Sequence, residues 1–98
     1  MIKEIKGDLT LTINIKAGDI YAVKYNKTAM LNIVNYTDGA IFISEKPNFD
    51  YIDNVGNFLT VTDGNSYNDY MFYKKGENTL YIKADADGYV CLVRKQWW

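Results

Sequence analysis

The residues that most often carry enzyme chemistry are scarce in this chain. The sequence contains no His and one Cys, Cys91. Without His, the usual general base at neutral pH and the commonest metal ligand are missing, and neither Ser–His nor Cys–His nucleophile pairs can form. Cys91 lies in the strand-like run GYVCLV, where we interpret it as a small packed hydrophobe rather than a reactive thiol. We therefore expect a protein that is not an enzyme, with no catalytic residues and no internal disulfide.

Carboxylates are the remaining candidates for chemistry. Two groups of the twelve Asp and Glu residues are candidates: Glu45, Asp50 and Asp53 in one loop-like stretch, and Asp85 and Asp87 in one turn. A glycosidase needs two carboxyl groups across a substrate cleft, and a single small domain of 98 residues has little room for such a cleft. The run 85–88 resembles part of a calcium loop, but Lys83 stands where an earlier oxygen ligand is needed and no late Glu follows. We interpret these acids as solvated loop and turn residues, and expect no metal and no cofactor.

Aromatic side chains are the stronger lead, at 15% of the chain. In a regular strand, Tyr67 and Tyr73 share one face, and Tyr70 and Phe72 share the other. Either one set fills the core and the other covers a sheet face, or one set forms an exposed contact surface. The candidates for partner contact are aromatic residues of this run, of the preceding loop and of the C-terminal pair: Tyr67, Tyr70, Tyr73, Phe49, Tyr51, Trp97 and Trp98.

The adjacent Trp97 and Trp98 directly follow a predicted strand. Alternation along that strand would point the two rings to opposite sides. One ring could then close the core while the other docks on a partner, because two indoles left in water would form a sticky patch. Folding back onto the domain and docking onto another chain both stay open.

Turn-forming clusters separate the segments that must position these residues. Five of them combine Gly with Asp or Asn, which reverse the chain readily, at residues 16–19, 37–39, 62–65, 75–78 and 85–88. Apolar and polar residues alternate between them, most clearly in Asp8–Ile15, and no segment shows a helical period. About eight short strands result. We predict an all-β fold over residues 1–98, a single small antiparallel β-sandwich (jelly-roll or Ig-like), with a small β-barrel as the alternative.

Two pairs of consecutive strands are expected to form hairpins. Ala29–Tyr36 would pair with Ala40–Ser44 around the first turn, and Thr79–Ala84 would pair with Gly88–Lys95 around the second. Glu45–Gly56 breaks the alternation, and we interpret it as a long loop with apolar anchors, a segment type that is often functional.

Charge and hydropathy narrow the partners. The formal net charge of −1 supplies no basic face for nucleic acid. No apolar run approaches membrane-spanning length. The first ten residues, MIKEIKGDLT, carry charges where a signal peptide needs an apolar stretch. We expect neither nucleic acid nor membrane as a partner, and no signal peptide.

Two stretches share a distinctive order of strands and turns. Residues 31–49, LNIVNYTDGAIFISEKPNF, have a strand, an Asn-containing turn, an Ile-x-Ile-Ser strand and a Pro-Phe loop. Residues 78–95, NTLYIKADADGYVCLVRK, have a Tyr-Ile-Lys strand, a Gly turn and a closing strand. Together they resemble the small β-sandwich modules of tailed-phage virion proteins. The resemblance implies a head fibre, a capsid decoration protein or a tail-associated accessory protein, made in the host cytoplasm and located in the virion.

Three functions follow as hypotheses. The first is a non-enzymatic structural component of a virion that binds other virion proteins or further copies of itself. The second is a carbohydrate-binding module for adhesion to a bacterial surface, with Tyr67, Tyr70, Tyr73 and a terminal Trp stacking on a glycan. The third is an enzyme, against which the residue inventory argues, or a small inhibitor that presents the Glu45–Gly56 loop.

Overall fold

A computed structural model describes residues 2–7, 10–26, 29–47, 49, 59–72 and 76–97. Over these residues the chain forms nine strands and no helix: β1 (Ile2–Lys6), β2 (Thr10–Ile15), β3 (Ile20–Tyr25), β4 (Ala29–Asn35), β5 (Ile41–Ser44), β6 (Leu59–Val61), β7 (Ser66–Met71), β8 (Asn78–Ala84) and β9 (Gly88–Trp97). They form two sheets, sheet A in the order β1-β3-β8-β5-β6 and sheet B in the order β2-β9-β4-β7. The predicted all-β sandwich is confirmed, and the alternative barrel is not formed because the sheets are open.

The strand pairs are nested. β2 pairs with β9, β3 with β8, β4 with β7 and β5 with β6, each time antiparallel. The chain from β2 to β9 is therefore a long ribbon, doubled back on itself and wound into two sheets. This is the arrangement of double-sheet jelly rolls, so the jelly-roll form of the predicted sandwich is the one adopted.

Neither predicted hairpin forms. β4 lies in sheet B and β5 in sheet A, and β8 and β9 are divided between the sheets in the same way. The turns at residues 37–39 and 85–88 carry the chain across the sandwich instead. Gly and Asp reverse a chain equally well toward either sheet, and alternation specifies the inward face of a strand but not its partner.

The core lies between the sheets and is built from the alternating apolar residues. Their side chains are almost completely removed from water, which for each large one contributes about 1.5–3 kcal/mol. They come from seven of the described strands and from the residue after β7: Ile13, Ile15, Tyr21, Val23, Tyr25, Leu31, Ile33, Ile41, Ile43, Val61, Phe72, Leu80, Ile82, Ala84, Val90 and Leu92. The partly buried Ile5 of β1 packs against them.

Four of the five turn clusters meet at one end of the sandwich. Backbone hydrogen bonds join them, from Gly18 N to Ala84 O at 3.0 Å and from Asp85 N to Ala40 O at 3.0 Å. Gly88 allows close packing there, because a Cβ at this position would overlap the Cα of Thr37. The Asp residues of these clusters therefore belong to packed turns.

A buried amide organises the same end. Asn35 is fully buried. Its Nδ2 donates to the backbone oxygens of Gly39 at 2.8 Å and Val61 at 2.9 Å, and its Oδ1 accepts from the Thr37 N–H at 2.8 Å. One side chain thus ties the end of β4 to the following turn and to the end of β6.

β1 is a strand that alternation does not predict. It pairs with β3 in parallel, the exception among antiparallel pairs. In the run IKEIK the two apolar residues are three positions apart, so no period of two is visible. Exposed ion pairs join Lys3 to Asp19 at 3.2 Å and Lys24 to Glu4 at 2.9 Å. Such exposed pairs contribute little stability, so the β-ladder and the packing of Ile5 hold this strand.

Candidate binding surface

The outward face of sheet B carries three rows of uncharged residues. The register aligns Thr10 with Val93, Thr12 with Cys91 and Asn14 with Tyr89, and places residues of β4 beside them. All members of these rows are exposed or half-buried. We call the set the neutral patch: Thr10, Thr12, Asn14, Asn32, Val34, Tyr36, Ser66, Tyr89, Cys91 and Val93.

Two tyrosines dominate one side of the neutral patch. Tyr36 and Tyr89 are 52% and 46% exposed. Their ring centroids are 5.2 Å apart and the ring planes are inclined by 31°. The backbone N–H of Tyr36 donates to the backbone carbonyl oxygen of Tyr89 at 2.9 Å, which fixes the two residues side by side. Asn14 lies next to Tyr89 in the register. The pair offers a broad aromatic surface with hydroxyl and amide groups at its margin.

The outward face of sheet A has a different character. Glu4, Lys6 and Lys24 alternate outward on its first two strands. Lys24 Nζ lies 2.9 Å from Glu4 and 4.0 Å from Glu77, and the hydrogen bond to Glu4 raises the pKa of Lys24. A cavity of about 280 Å³ opens here, lined by Glu4, Ile5, Lys6, Lys24, Asn26 and Glu77. Its charges of opposite sign face one another, so they leave little net field to select an ionic ligand.

A β-bulge changes the positions of the predicted aromatic candidates. Tyr70 lies opposite Leu31 and Tyr67 lies opposite Ile33, so β7 has one residue more than β4 over this interval. The extra residue reverses the alternation. Tyr67 and Tyr70 therefore share a face, with centroids 6.0 Å apart, instead of lying on opposite faces as a regular strand would place them.

The rings of β7 continue toward the core. Tyr70 meets Phe72 edge to face at 5.4 Å, and Phe72 meets Tyr25 at 6.0 Å. Burial raises the pKa of the partly buried Tyr70, and the neighbouring Glu45 carboxylate adds to the shift. Tyr67 remains 36% exposed at the rim. Tyr70 is thus a packing residue in the free chain, and Tyr67 is the member of this pair that faces solvent.

The remaining sequence-predicted candidates are only partly described. Phe49 is half-buried. The backbone of Trp97 belongs to β9 and pairs with Ala29. Tyr51, Tyr73 and Trp98 lie outside the described residues, as does most of the predicted Glu45–Gly56 loop.

Sequence reasoning missed the Tyr36–Tyr89 pair. Alternation does indicate that Tyr89 points to the outward face of its strand, since Val90 and Leu92 point inward. The meeting of Tyr89 with Tyr36, however, depends on β4 pairing with β9, two strands that are far apart in the sequence. The predicted partner of β9 is β8, so nothing in the sequence indicates that Tyr89 lies beside Tyr36.

Features of other kinds of site are few in the described part of the chain. Among the described residues, no group of three or more His, Cys, Asp or Glu side chains is placed to hold a metal ion. Cys91 is a free thiol, half-buried within the neutral patch. The described ranges contain no helix long and apolar enough to cross a membrane.

Comparisons with known proteins reveal similarity of fold. No protein-family model and no curated protein matches the sequence. A de novo designed double-stranded β-helix superposes with a TM-score of 0.61 at 14% identity, over 88% of this chain and 97% of that one. PirA superposes with a TM-score of 0.58 at 10% identity, over 90% of this chain and 94% of that one. At such identities the likeness is one of fold alone, and it agrees with the doubled-back ribbon of β2 to β9.

Proposed function

We propose that this chain is a non-enzymatic binding module that serves as an accessory component of a tailed-phage virion through protein–protein contacts. The neutral patch is the observation that carries the proposal. It is a surface on a rigid sheet, free of charge and bordered by two exposed tyrosines.

The composition of the neutral patch suits a protein interface. Interface cores are depleted in charged residues and enriched in Tyr relative to the rest of a protein surface. Thr, Asn and Ser can exchange water for hydrogen bonds with a partner, whereas a buried charge needs a compensating opposite charge. Sheet A, with Lys and Glu on its outward face, lacks these properties.

The resemblance of residues 31–49 and 78–95 to phage virion modules supplies the assignment to a particle. Double-sheet jelly rolls occur in viral capsid proteins, but also in lectins and cupins, so the fold is compatible with the proposal without selecting it.

The test combines particle composition with a change at the centre of the neutral patch. The protein should be detected by mass spectrometry in purified particles of the phage that encodes it. Val34→Lys places a charge in the middle of the patch and should lower incorporation by at least about tenfold, the effect of about 1.4 kcal/mol. Thr79→Lys, at a half-buried position of sheet A, is the matched control and should incorporate normally. Absence of the protein from all particles would contradict the proposal, as would normal incorporation of Val34→Lys.

A second candidate function is carbohydrate binding, and the Tyr36–Tyr89 pair favours it specifically. Exposed rings with adjoining amide and hydroxyl groups can stack on a sugar face and hydrogen-bond its hydroxyls. This moves the stacking platform from Tyr67, Tyr70 and Tyr73 to a pair that the fold leaves open to solvent.

A glycan array separates the two functions. Binding of a bacterial glycan by the wild-type chain should be lost in the variant with both Tyr36→Ala and Tyr89→Ala and kept in Tyr67→Ala. No signal above background for the wild type, or equal signals for all three proteins, would remove this candidate.

A further inference from the structure

The edges of the two sheets are protected unequally. In the described part of the chain, the edge strands are β1 and β6 in sheet A and β2 and β7 in sheet B. An open edge presents unpaired N–H and C=O groups, and proteins shield such edges with charged side chains, short strands or bulges. β1 carries Lys3, Glu4 and Lys6, β6 has three residues, and β7 has the bulge.

β2 has none of these protections. It is six residues long, with the sequence TLTINI, and contains no charge, no Pro and no bulge. Among the described residues it pairs with β9 alone. Thr10, Thr12 and Asn14 are exposed, and Leu11 is partly buried at the border of the core. This edge is therefore ready to accept another strand.

At the side of the sandwich where β1 and β2 lie, sheet A extends one strand further than sheet B. Sheet A has five strands and sheet B has four. The short turn at residues 16–19 connects β2 to β3, and the Lys16 N–H donates to the Tyr21 hydroxyl at 3.0 Å, so β3 lies across from β2. β1 extends sheet A by one strand beyond β3, and none of the described residues forms a strand of sheet B opposite it. A strand added to β2 would occupy that place and cover Ile5 and Leu11, which are only partly buried.

We propose that a second copy of this chain binds along β2, with the two β2 strands antiparallel about a two-fold axis perpendicular to sheet B. Self-pairing is favoured over a different partner because a two-fold axis brings each residue close to its own counterpart, which penalises any charge on the strand. Among the four edge strands described, β2 and the three-residue β6 carry no charge, and β2 alone of these two is long and has no other form of protection. The inference concerns the free protein and does not rest on the proposed virion function.

The alternation restricts the register. Residues that lie opposite each other must face the same side of the sheet. The two-fold axis must therefore pass between one residue and its own counterpart in the second copy, and not between two consecutive positions of the strand. If the axis lies at Thr12, Thr10 is opposite Asn14 of the second copy. If the axis lies at Ile13, Thr12 is opposite Asn14 of the second copy. Within β2 only uncharged residues meet in both registers, and the Ile13 register also places Thr10 opposite Lys16, the residue after the strand. Lys3, which overhangs this place, is compensated by Asp19 at 3.2 Å and by the Tyr21 ring at 5.6 Å from its centroid.

Sedimentation velocity over about a thousandfold range of protein concentration tests the proposal. The wild type should shift from monomer to dimer. Thr12→Lys should raise the dimer dissociation constant by at least about tenfold, because it brings two like charges close to the axis. Thr60→Lys makes the same change at an exposed position of β6, which is the edge strand of sheet A on the far side of the sandwich. This variant should dimerise like the wild type.

Hydrogen exchange identifies the surface that is used. Amides of β2 should exchange more slowly at high than at low protein concentration, while those of β6 should not change. Asn14→Lys repeats the test at a second exposed position should Thr12→Lys lose its native circular dichroism spectrum. A wild type that stays monomeric over the whole range, or a dimer that forms without protection of β2, overturns the proposal.

Discussion

The buried amide of Asn35 should be worth more to stability than any exposed side chain of this protein. Replacing Asn35 by Ala removes its bonds to the oxygens of Gly39 and Val61 and to the N–H of Thr37. At about 1 kcal/mol for each bond, with a further 1–2 kcal/mol for buried groups left without a partner, the loss is about 4–5 kcal/mol. That approaches the total stability of many small domains and corresponds to a fall in melting temperature of about 15–30 °C.

Asn35→Asp is a second test, and it asks whether the NH₂ group of Asn35 is the one that faces the carbonyl oxygens. It replaces the NH₂ group, which faces two carbonyl oxygens, by an oxygen. Folding then favours the protonated carboxyl and raises its pKa above the unfolded value of about 3.9. The stability of this variant should be retained below about pH 4 and fall as the pH rises, by up to about 1.4 kcal/mol per pH unit.

Urea unfolding followed by circular dichroism measures both effects. Asn26 is exposed directly after β3 and away from the β2 edge, so Asn26→Ala and Asn26→Asp are matched controls that should remain within about 0.5 kcal/mol of wild type. The reasoning is refuted if folded Asn35→Ala lies within about 1 kcal/mol of wild type, or if Asn35→Asp has the same pH dependence as wild type.

Three further predictions concern packing and charge. Gly88→Ala places a Cβ against the Cα of Thr37 and should destabilise by about 2–4 kcal/mol in urea unfolding, whereas Gly64→Ala, which has open space around it, should cost only about 1–2 kcal/mol for its positive φ. Because burial raises the pKa of Tyr70, its hydroxyl stabilises the fold below about pH 10 and loses that effect as the pH rises; Tyr70→Phe should therefore show a shallower alkaline loss of stability than wild type. Lys24→Gln removes the contact with Glu4 at 2.9 Å, and its effect on the urea midpoint should shrink between low salt and about 1 M salt; an undiminished effect would show that Lys24 acts through packing.

The sequence predicts inward faces well and strand partners poorly. Leu31 and Ile33, Ile41 and Ile43, and Val90 and Leu92 all point inward as alternation requires. The same alternation has no information on whether β4 joins β5 in one sheet or crosses to the other. Asn35 illustrates the gap, because its parity with Leu31 and Ile33 places it inward, yet its partners Gly39 and Val61 come from elements whose arrangement only the fold defines.

The candidate site was less predictable for two physical reasons. A bulge in β7 brings Tyr67 and Tyr70 to one face, and one extra residue in a strand leaves little trace in composition. The Tyr36–Tyr89 pair arises from non-local pairing of β4 with β9. The absence of His, in contrast, can be read directly from the sequence, because folding cannot supply a side chain that the chain lacks.

The neutral patch and the β2 edge share residues, and this links the two proposals physically. Thr10, Thr12 and Asn14 form the border of the patch and also lie on the edge strand. A two-fold axis perpendicular to the sheet keeps both outward faces on one side, so a β2 dimer would join two neutral patches into one surface. Tyr89 of each copy lies one strand from β2, so the two are separated by three strand spacings, about 14 Å, across the sheet, and by a further offset of about 14 Å or 7 Å along the strands in the Thr12 and Ile13 registers. Two aromatic pairs at that spacing would engage a repetitive partner, such as a capsid lattice or a glycan chain, with an avidity that one pair cannot provide. Thr12→Lys should therefore weaken binding to a multivalent target more than binding to a single ligand unit, whereas Val34→Lys should weaken both.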